Sequence, residues 1–264
     1  MHQETNPQFL PLLIDFDGVL RIENDPAPFL RDFLEFLSEK RIPFCILSNS
    51  TLRTSGDMRK FIDTVYPCGG YHSMTAAEAT ALYIKAGYNN AAVYCSENVM
   101  HLFDDVRNYD YPEVVVAGDL QEGWDYETVN KIFRHLIRGA EFVAMHKNKY
   151  WKPPGKEISV DAGVFINGLE YATGKTATVI GKPSPLYFRT ALKDLGFDET
   201  TPFLMIGDDI ESDIAGAEAC GGKGILVFTG KTYKEHLSSE SLARLTHYAE
   251  NLHDVIQILN RYYQ

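Results

Sequence analysis

No apolar run in the 264-residue sequence approaches the roughly 18 residues that a membrane-spanning helix needs. Basic residues are in short supply: 25 Lys and Arg stand against 36 Asp and Glu, for a formal charge of -11. That balance removes any general electrostatic attraction to nucleic acid or to an anionic membrane, so neither is expected as a partner. An anionic ligand would need locally gathered positive charge. Cysteine is sparse as well, with four residues (Cys45, Cys68, Cys95 and Cys220) scattered without a CxxC pair. They read as reduced, mostly structural thiols of a cytosolic protein. The opening MHQETNPQ is polar rather than basic and then apolar, so it does not read as a secretory signal. Tandem repeats and low-complexity tracts are missing too. What the chain does have is 45% hydrophobic residues, enough to fill a core.

Those residues fall into short apolar runs alternating with helical patterns. Residues 12–14 read as a strand, 28–40 as a helix with Phe29, Leu30, Phe33, Leu34 and Leu37 at helical spacing, and 44–47 as a second strand. This is a β-α-β unit, and parallel pairing follows. The alternation returns at 176–180 (strand), 183–195 (helix), 203–206 (strand), 209–220 (helix) and 224–228 (strand), and 251–262 has helical periodicity. The expected fold class is α/β, a doubly wound parallel sheet. A second alternating series intervenes: helix 75–86, strands 91–95 and 114–117, helix 126–137 and strand 141–144. The expected division is therefore a core of residues 1–73 and 176–264, split by an inserted α/β domain of residues 74–175.

Four of these strands end in polar groups: Asp15 and Asp17, then Ser48-Asn49-Ser50, then Lys182, then Asp208-Asp209. In an open parallel sheet the carboxyl ends share one edge, so these groups can converge. Asp15 and Asp17 lie two apart, which in extended chain puts both carboxylates on one side, with Gly18 permitting an immediate turn. Carboxylates this close repel, and a proton or a hard dication relieves them. With Asp208, Asp209 and Asp213 as further oxygens, magnesium is the natural candidate. Standing alone, D-x-D-G reads equally as turn or cap aspartates. Ser48-Asn49-Ser50, before a helix expected at 51–62, would be either an N-cap or an anion seat. Lys182 alone would be a surface lysine, yet it opens a helix with Pro183 in its first turn and offers the missing positive charge. Asp209 and Asp213 are four apart on one helical face, and a metal or a hydrogen-bonded lysine would satisfy both.

DFDGV at 15–19, SNS at 48–50, GKP at 181–183 and GDDIESD at 207–213 resemble, in order, the four motifs of the haloacid dehalogenase-like phosphatases. The insertion resembles the C2 cap of the NagD-like subfamily. GLEYATGKTATVIGKPSP and the later GILVFTGK look like the branch that contains phospholysine phosphohistidine inorganic pyrophosphate phosphatase. The resemblance implies a Rossmann-like core, Asp15 as nucleophile and Asp17 as general acid and base. It implies phosphate binding by Ser48, Asn49 and Lys182, and magnesium on Asp15, Asp208 and the Asp17 backbone carbonyl, with Asp209 and Asp213 in support. Ser50 departs from the asparagine common there. The expectation is a cytoplasmic, magnesium-dependent phosphatase acting on a small phosphorylated metabolite through an aspartyl-phosphate. A homodimer through the cap fits the same resemblance.

The alternatives are a pyrophosphatase or phosphoamidase of the same fold, a catalytically silent binding homologue, or a partner-docking protein. Within the insertion, His146, Lys147, Lys149, Tyr150 and Lys152 read either as a basic and aromatic recognition cluster or as a solvated loop. Asp161-Ala162-Gly163 reads as a cap loop.

Overall fold

The computed structural model describes residues 10–151, 155 and 157–263. They fall into two compact units, one of residues 1–48, 56–74 and 182–264 and one of residues 49–55 and 75–181.

The first unit is built on a six-stranded sheet. In spatial order its strands are His247–Ala249, Lys223–Val227, Leu204–Gly207, Leu12–Asp15, Phe44–Ser48 and His72–Thr75. Leu12–Asp15 pairs in parallel with Leu204–Gly207 on one side and with Phe44–Ser48 on the other. The chain runs outward from Leu12–Asp15 in one direction and then returns to run outward in the other. This is the doubly wound order, with its switch point between Leu12–Asp15 and Leu204–Gly207. Both strands are buried along their whole length, which is why they read as unbroken apolar runs.

Helix Leu30–Lys40 buries Leu30, Phe33, Leu34 and Leu37, and helix Leu252–Tyr262 buries Leu252, Val255, Ile258 and Leu259. The first stripe is spaced i, i+3, i+4, i+7 and the second i, i+3, i+6, i+7, each on one helical face, and both join Leu12, Ile14, Leu204, Ile206, Ile225 and Val227 in one core. Each such side chain contributes about 1.5–3 kcal/mol by leaving water. Leu34→Ala should accordingly cost about 2–5 kcal/mol.

The second unit has a four-stranded parallel sheet in the order Thr178–Val179, Glu141–Ala144, Val114–Ala117, Ala91–Tyr94. Helix Ala76–Gly87 starts at a capping box, in which Thr75 accepts from Glu78 N while the Glu78 carboxylate accepts from Thr75 N. Helices Tyr126–Ile137 and Ala162–Thr173 share a core that includes Ile132, Leu136, Ile166 and Leu169.

Three expectations change. The strand read at 176–180 does not join the core sheet: Thr178 and Val179 pair with Val143 and Ala144, so residues up to 181 belong to the second unit. Ala177 is buried among that unit's apolar residues, which anchors the strand there. The helix read at 51–62 begins at Ser55, leaving a loop after Ser48-Asn49-Ser50, so those residues cap no helix. Asp161-Ala162-Gly163 is the start of helix Ala162–Thr173, with Asp161 as its N-cap. A Cβ on Gly163 would come within 2.4 Å of the Asn148 carbonyl oxygen, so glycine serves close backbone packing there.

Among the described residues no helix is long and apolar enough to cross a membrane. All four cysteines are free thiols, as expected.

Candidate active site

Asp15 is the last residue of its strand and Asp208 directly follows Leu204–Gly207, so both stand at the carboxyl ends flanking the switch point. Lys182 and Asp213 complete a buried set in the same unit. Lys182 Nζ donates to Asp15 Oδ1 at 2.6 Å and lies 2.7 Å from Asp213 Oδ1. The other Asp213 oxygen, Oδ2, accepts from the backbone N–H groups of Asp208 and Asp209, each at 3.2 Å. Asp213 is placed by a wide helical turn, Ile210–Ala215, in which Ile214 N reaches back to Asp209 O at 3.3 Å. Such π-type turns concentrate at functional sites.

Asp209 is the N-cap of that turn, accepting through Oδ1 from Glu211 N at 2.9 Å and Ser212 N at 3.1 Å. Its Oδ2 accepts from Lys231 Nζ at 3.0 Å, and Lys231 N donates to Asp208 Oδ2 at 2.6 Å. The spacing at 209 and 213 does have the reason it required: each carboxylate has its own lysine. Glycine is needed beside Asp208, because a Cβ on Gly230 would fall 1.8 Å from Asp208 Oδ2 and one on Gly18 2.2 Å from it. Gly18 also has φ +91°, the left-handed region that the turn after Asp17 demands.

The carboxylate of Asp17 has other neighbours. Arg21 grips its Oδ1, and Ser48 Oγ donates to its Oδ2 at 3.4 Å. Ser48 is held from behind by Tyr187, whose buried hydroxyl donates to the carbonyls of Ser48 at 2.9 Å and Met74 at 2.7 Å. Asn49 belongs to the second unit, where its Nδ2 donates to Asn148 Oδ1 at 3.4 Å.

Burial raises the Asp15 carboxyl well above its ordinary range against the opposing pull of Lys182, and Asp213 and Asp208 add to the rise. Asp208 is pushed up to about 7, by burial and by Asp213. Burial works against the charge on Lys182, yet Asp15 and Asp213 outweigh it and hold the ammonium charged. Burial likewise opposes ionisation of Asp209, and Lys231 with the cap hydrogen bonds reverses it.

Oxygens from Asp15, Asp208 and Asp213 all lie within 4.8 Å of one another. Three buried carboxylates thus face one buried ammonium, a deficit of positive charge. Asp15 Oδ2 and Asp208 Oδ1 accept no hydrogen bond among the described residues. An all-oxygen set with two open acceptors fits a hard dication. Asp213, with both oxygens engaged, fits instead as the anchor of Lys182.

Arg21, Lys231 and Tyr187 were not singled out in the sequence. Lys231 sits in the quoted GILVFTGK and Arg21 four residues past Asp17, but neither spacing has meaning until the turns bring them back. In the second unit, His146 is buried with Nδ1 accepting from Asn148 N at 3.2 Å, and Lys147 pairs with Glu170 at 2.8 Å. The expected basic cluster is therefore partly committed to internal contacts, and Lys152 lies outside the described residues.

Comparison with known proteins agrees with this geometry. Residues 12–111 match the haloacid dehalogenase-like hydrolase family, and residues 179–255 match the HAD-hydrolase-like family. The chain is 32% identical over 224 residues to haloacid dehalogenase-like hydrolase domain-containing protein 2 of Homo sapiens, spanning 83% of this chain and 84% of that one. It is 34% identical over 185 residues to phospholysine phosphohistidine inorganic pyrophosphate phosphatase of Rattus norvegicus, spanning 69% and 67%. Two solved structures share the fold. One is a p-nitrophenyl phosphatase from Archaeoglobus fulgidus, with TM-score 0.84, 24% identity and coverage of 96% of this chain and 100% of that one. The other is NagD from E. coli K-12, with TM-score 0.79, 22% identity and coverage of 93% and 97%. With its four motifs in order on a doubly wound sheet, the chain belongs to the haloacid dehalogenase-like hydrolases and has a phosphatase among its relatives, and it shares its fold with NagD.

Proposed function

We propose that this chain hydrolyses a small phosphorylated metabolite in a magnesium-dependent reaction, through an aspartyl-phosphate on Asp15. The observation that carries the proposal is the buried Lys182 ammonium shared between Asp15 and Asp213 beside Asp208, a cation held where a phosphate must meet an anionic nucleophile. Asp15, Asp208 and the Asp17 backbone carbonyl would hold a magnesium ion, which would supply positive charge to offset the repulsion between the phosphate oxygens and the Asp15 carboxylate.

Lys182 and the Ser48 hydroxyl bind the remaining phosphate oxygens, and Asp213 keeps Lys182 charged and aimed. An Asp15 oxygen attacks phosphorus as the bond to the leaving oxygen breaks, and Asp17 gives its proton to that oxygen. Asp17 then takes a proton from the water that attacks phosphorus and frees Asp15. Asp209 and Lys231 act by fixing the loops around Asp208.

Asn49 is read as a substrate-positioning group, and the second unit as the C2-type cap that sets substrate choice. A homodimer through that unit and a cytoplasmic location belong to the same reading. A second substrate class, P–N or P–O–P bonds, is favoured by the rat relative, whose name specifies phospholysine, phosphohistidine and inorganic pyrophosphate.

The test is phosphate release from a panel of phosphomonoesters, pyrophosphate and a phosphoramidate, with magnesium and with chelator, for the wild type and Asp15→Asn. Magnesium-dependent release lost in the variant supports the reading. Substantial release by Asp15→Asn overturns it.

A further inference from the structure

The proposed proton donor is not free to choose which oxygen it uses. Arg21 Nε donates to Asp17 Oδ1 at 2.9 Å, and Arg21 Nη2 donates to the same oxygen. Both arms of the guanidinium therefore converge on Oδ1, and among the described residues Oδ2 has the 3.4 Å approach of Ser48 Oγ. The arginine is itself fixed. Its guanidinium carbon lies 4.9 Å from the ring centre of Phe16 and 6.0 Å from that of Phe61, and these two rings meet edge to face at 5.4 Å. Backbone geometry sets the reach: Gly18 N donates to Arg21 O at 2.7 Å and Arg21 N to Phe16 O at 3.0 Å, closing a tight turn that folds residue 21 back over residue 17. The side chain of Arg21 is 13% exposed against 47% for Asp17, so the cation is a built-in wall and the carboxylate is the group that faces outward.

We propose that Arg21 is a positioning residue for proton transfer in this site: by occupying Asp17 Oδ1 it presents Oδ2 as the oxygen that carries the proton. The inference rests on the phosphatase reading above. As the Asp15–phosphorus bond forms and the phosphorus–oxygen ester bond breaks, the proton on Oδ2 moves to the departing alkoxide, leaving neutral alcohol and ionised Asp17. The water that next attacks phosphorus returns a proton to Oδ2. Arg21 neither gains nor loses a proton, and it fixes the direction from which transfer occurs.

Leaving-group chemistry separates this role from a merely structural one. An alkoxide must be protonated as it leaves, whereas p-nitrophenolate departs without help. kcat/KM reports only the steps through ester cleavage, so it isolates the first proton transfer. The experiment measures kcat/KM for p-nitrophenyl phosphate and for a primary-alkyl phosphate with wild type, Arg21→Met and Arg21→Lys, all with magnesium. Arg21→Met keeps an apolar stem against Phe16 and Phe61. It is expected to lose about tenfold or more on the alkyl ester and less than about threefold on the nitrophenyl ester, a fraction of the whole general-acid contribution. Arg21→Lys, which keeps charge but not the two-armed grip, is expected to fall between.

Equal losses on both esters in both variants, or no loss on the alkyl ester, would overturn the proposal. Wild-type protein that releases phosphate from neither ester, or release that survives Asp15→Asn, would instead remove the phosphatase reading, and this inference with it.

Discussion

Lys182→Met isolates the charge balance on which the site depends. Methionine keeps most of the apolar stem, so little cavity forms, but the ammonium that lies 2.6 Å from Asp15 and 2.7 Å from Asp213 is gone. Asp15, Asp208 and Asp213 are then left buried together without their cation. Removing one partner from a buried ion pair costs about 3–5 kcal/mol, because the other charge is stranded. For a protein of this size each kcal/mol corresponds to about 2–4 °C, so the melting temperature in chelator should fall by roughly 6–20 °C. Asp213→Asn in the same chain removes one stranded charge while its amide oxygen still accepts from the N–H groups of Asp208 and Asp209. The double variant should therefore regain part of the loss, a coupling expected between touching residues. Added magnesium should recover part of the single variant's loss as well. Thermal unfolding by calorimetry in chelator reads all three. A Lys182→Met melting temperature within about 2 °C of wild type, or a double variant no better than the single, would refute the stranded-charge argument.

In chelator, Asp208 should make the folded state less stable as pH rises between its ordinary 3.8 and about 7. The folded protein keeps that proton where the unfolded chain has lost it, so raising pH favours unfolding. Asp208→Asn should flatten the decline, and an equally steep fall in both proteins would count against it. Gly230→Ala must displace Asp208, since its Cβ would sit 1.8 Å from Oδ2. The magnesium concentration for half-maximal activity should rise about 10–100-fold, and unchanged activation would contradict the ligand assignment. Native protein should react with a thiol reagent first at Cys220, the one partly exposed cysteine. Cys95, buried with its thiol pushed up to about 12 by that burial, should wait for unfolding, as peptide mapping of the label would show.

The parts of the fold that were legible are those in which local pattern and burial agree. Leu12–Asp15 and Leu204–Gly207 are buried throughout and read as apolar runs, and Tyr126–Ile137 follows a capping Asp125 and buries Ile132 and Leu136 on one face. Thr178–Val179 was legible as a strand but not as a member of the right sheet, because a two-residue strand carries no information about which edge it joins. Ala162–Thr173 was missed because its sequence, AGVFINGLEYAT, has two glycines and few charges, so neither periodicity nor composition separates it from a loop. The site divides the same way. Asp15 and Asp208 were readable because strand ends in a parallel sheet converge, whereas Lys182 follows a strand of the other sheet and Asp213 lies on the turn after Asp208, so their place in the site was legible only through the resemblance of their motifs. The grip of Arg21 on Asp17 and of Lys231 on Asp209 depends on turns whose path no spacing rule encodes.

The central claim is that Asp15 forms a covalent bond to phosphorus, and the direct test is to quench the wild-type reaction with acid early in turnover and map the protein by mass spectrometry. One added phosphoryl group on the peptide containing Asp15, absent in Asp15→Asn and without magnesium, is the expected result. Rapid substrate turnover with no phosphorylated peptide at any quench time, or a phosphoryl group carried on another residue, would contradict the account.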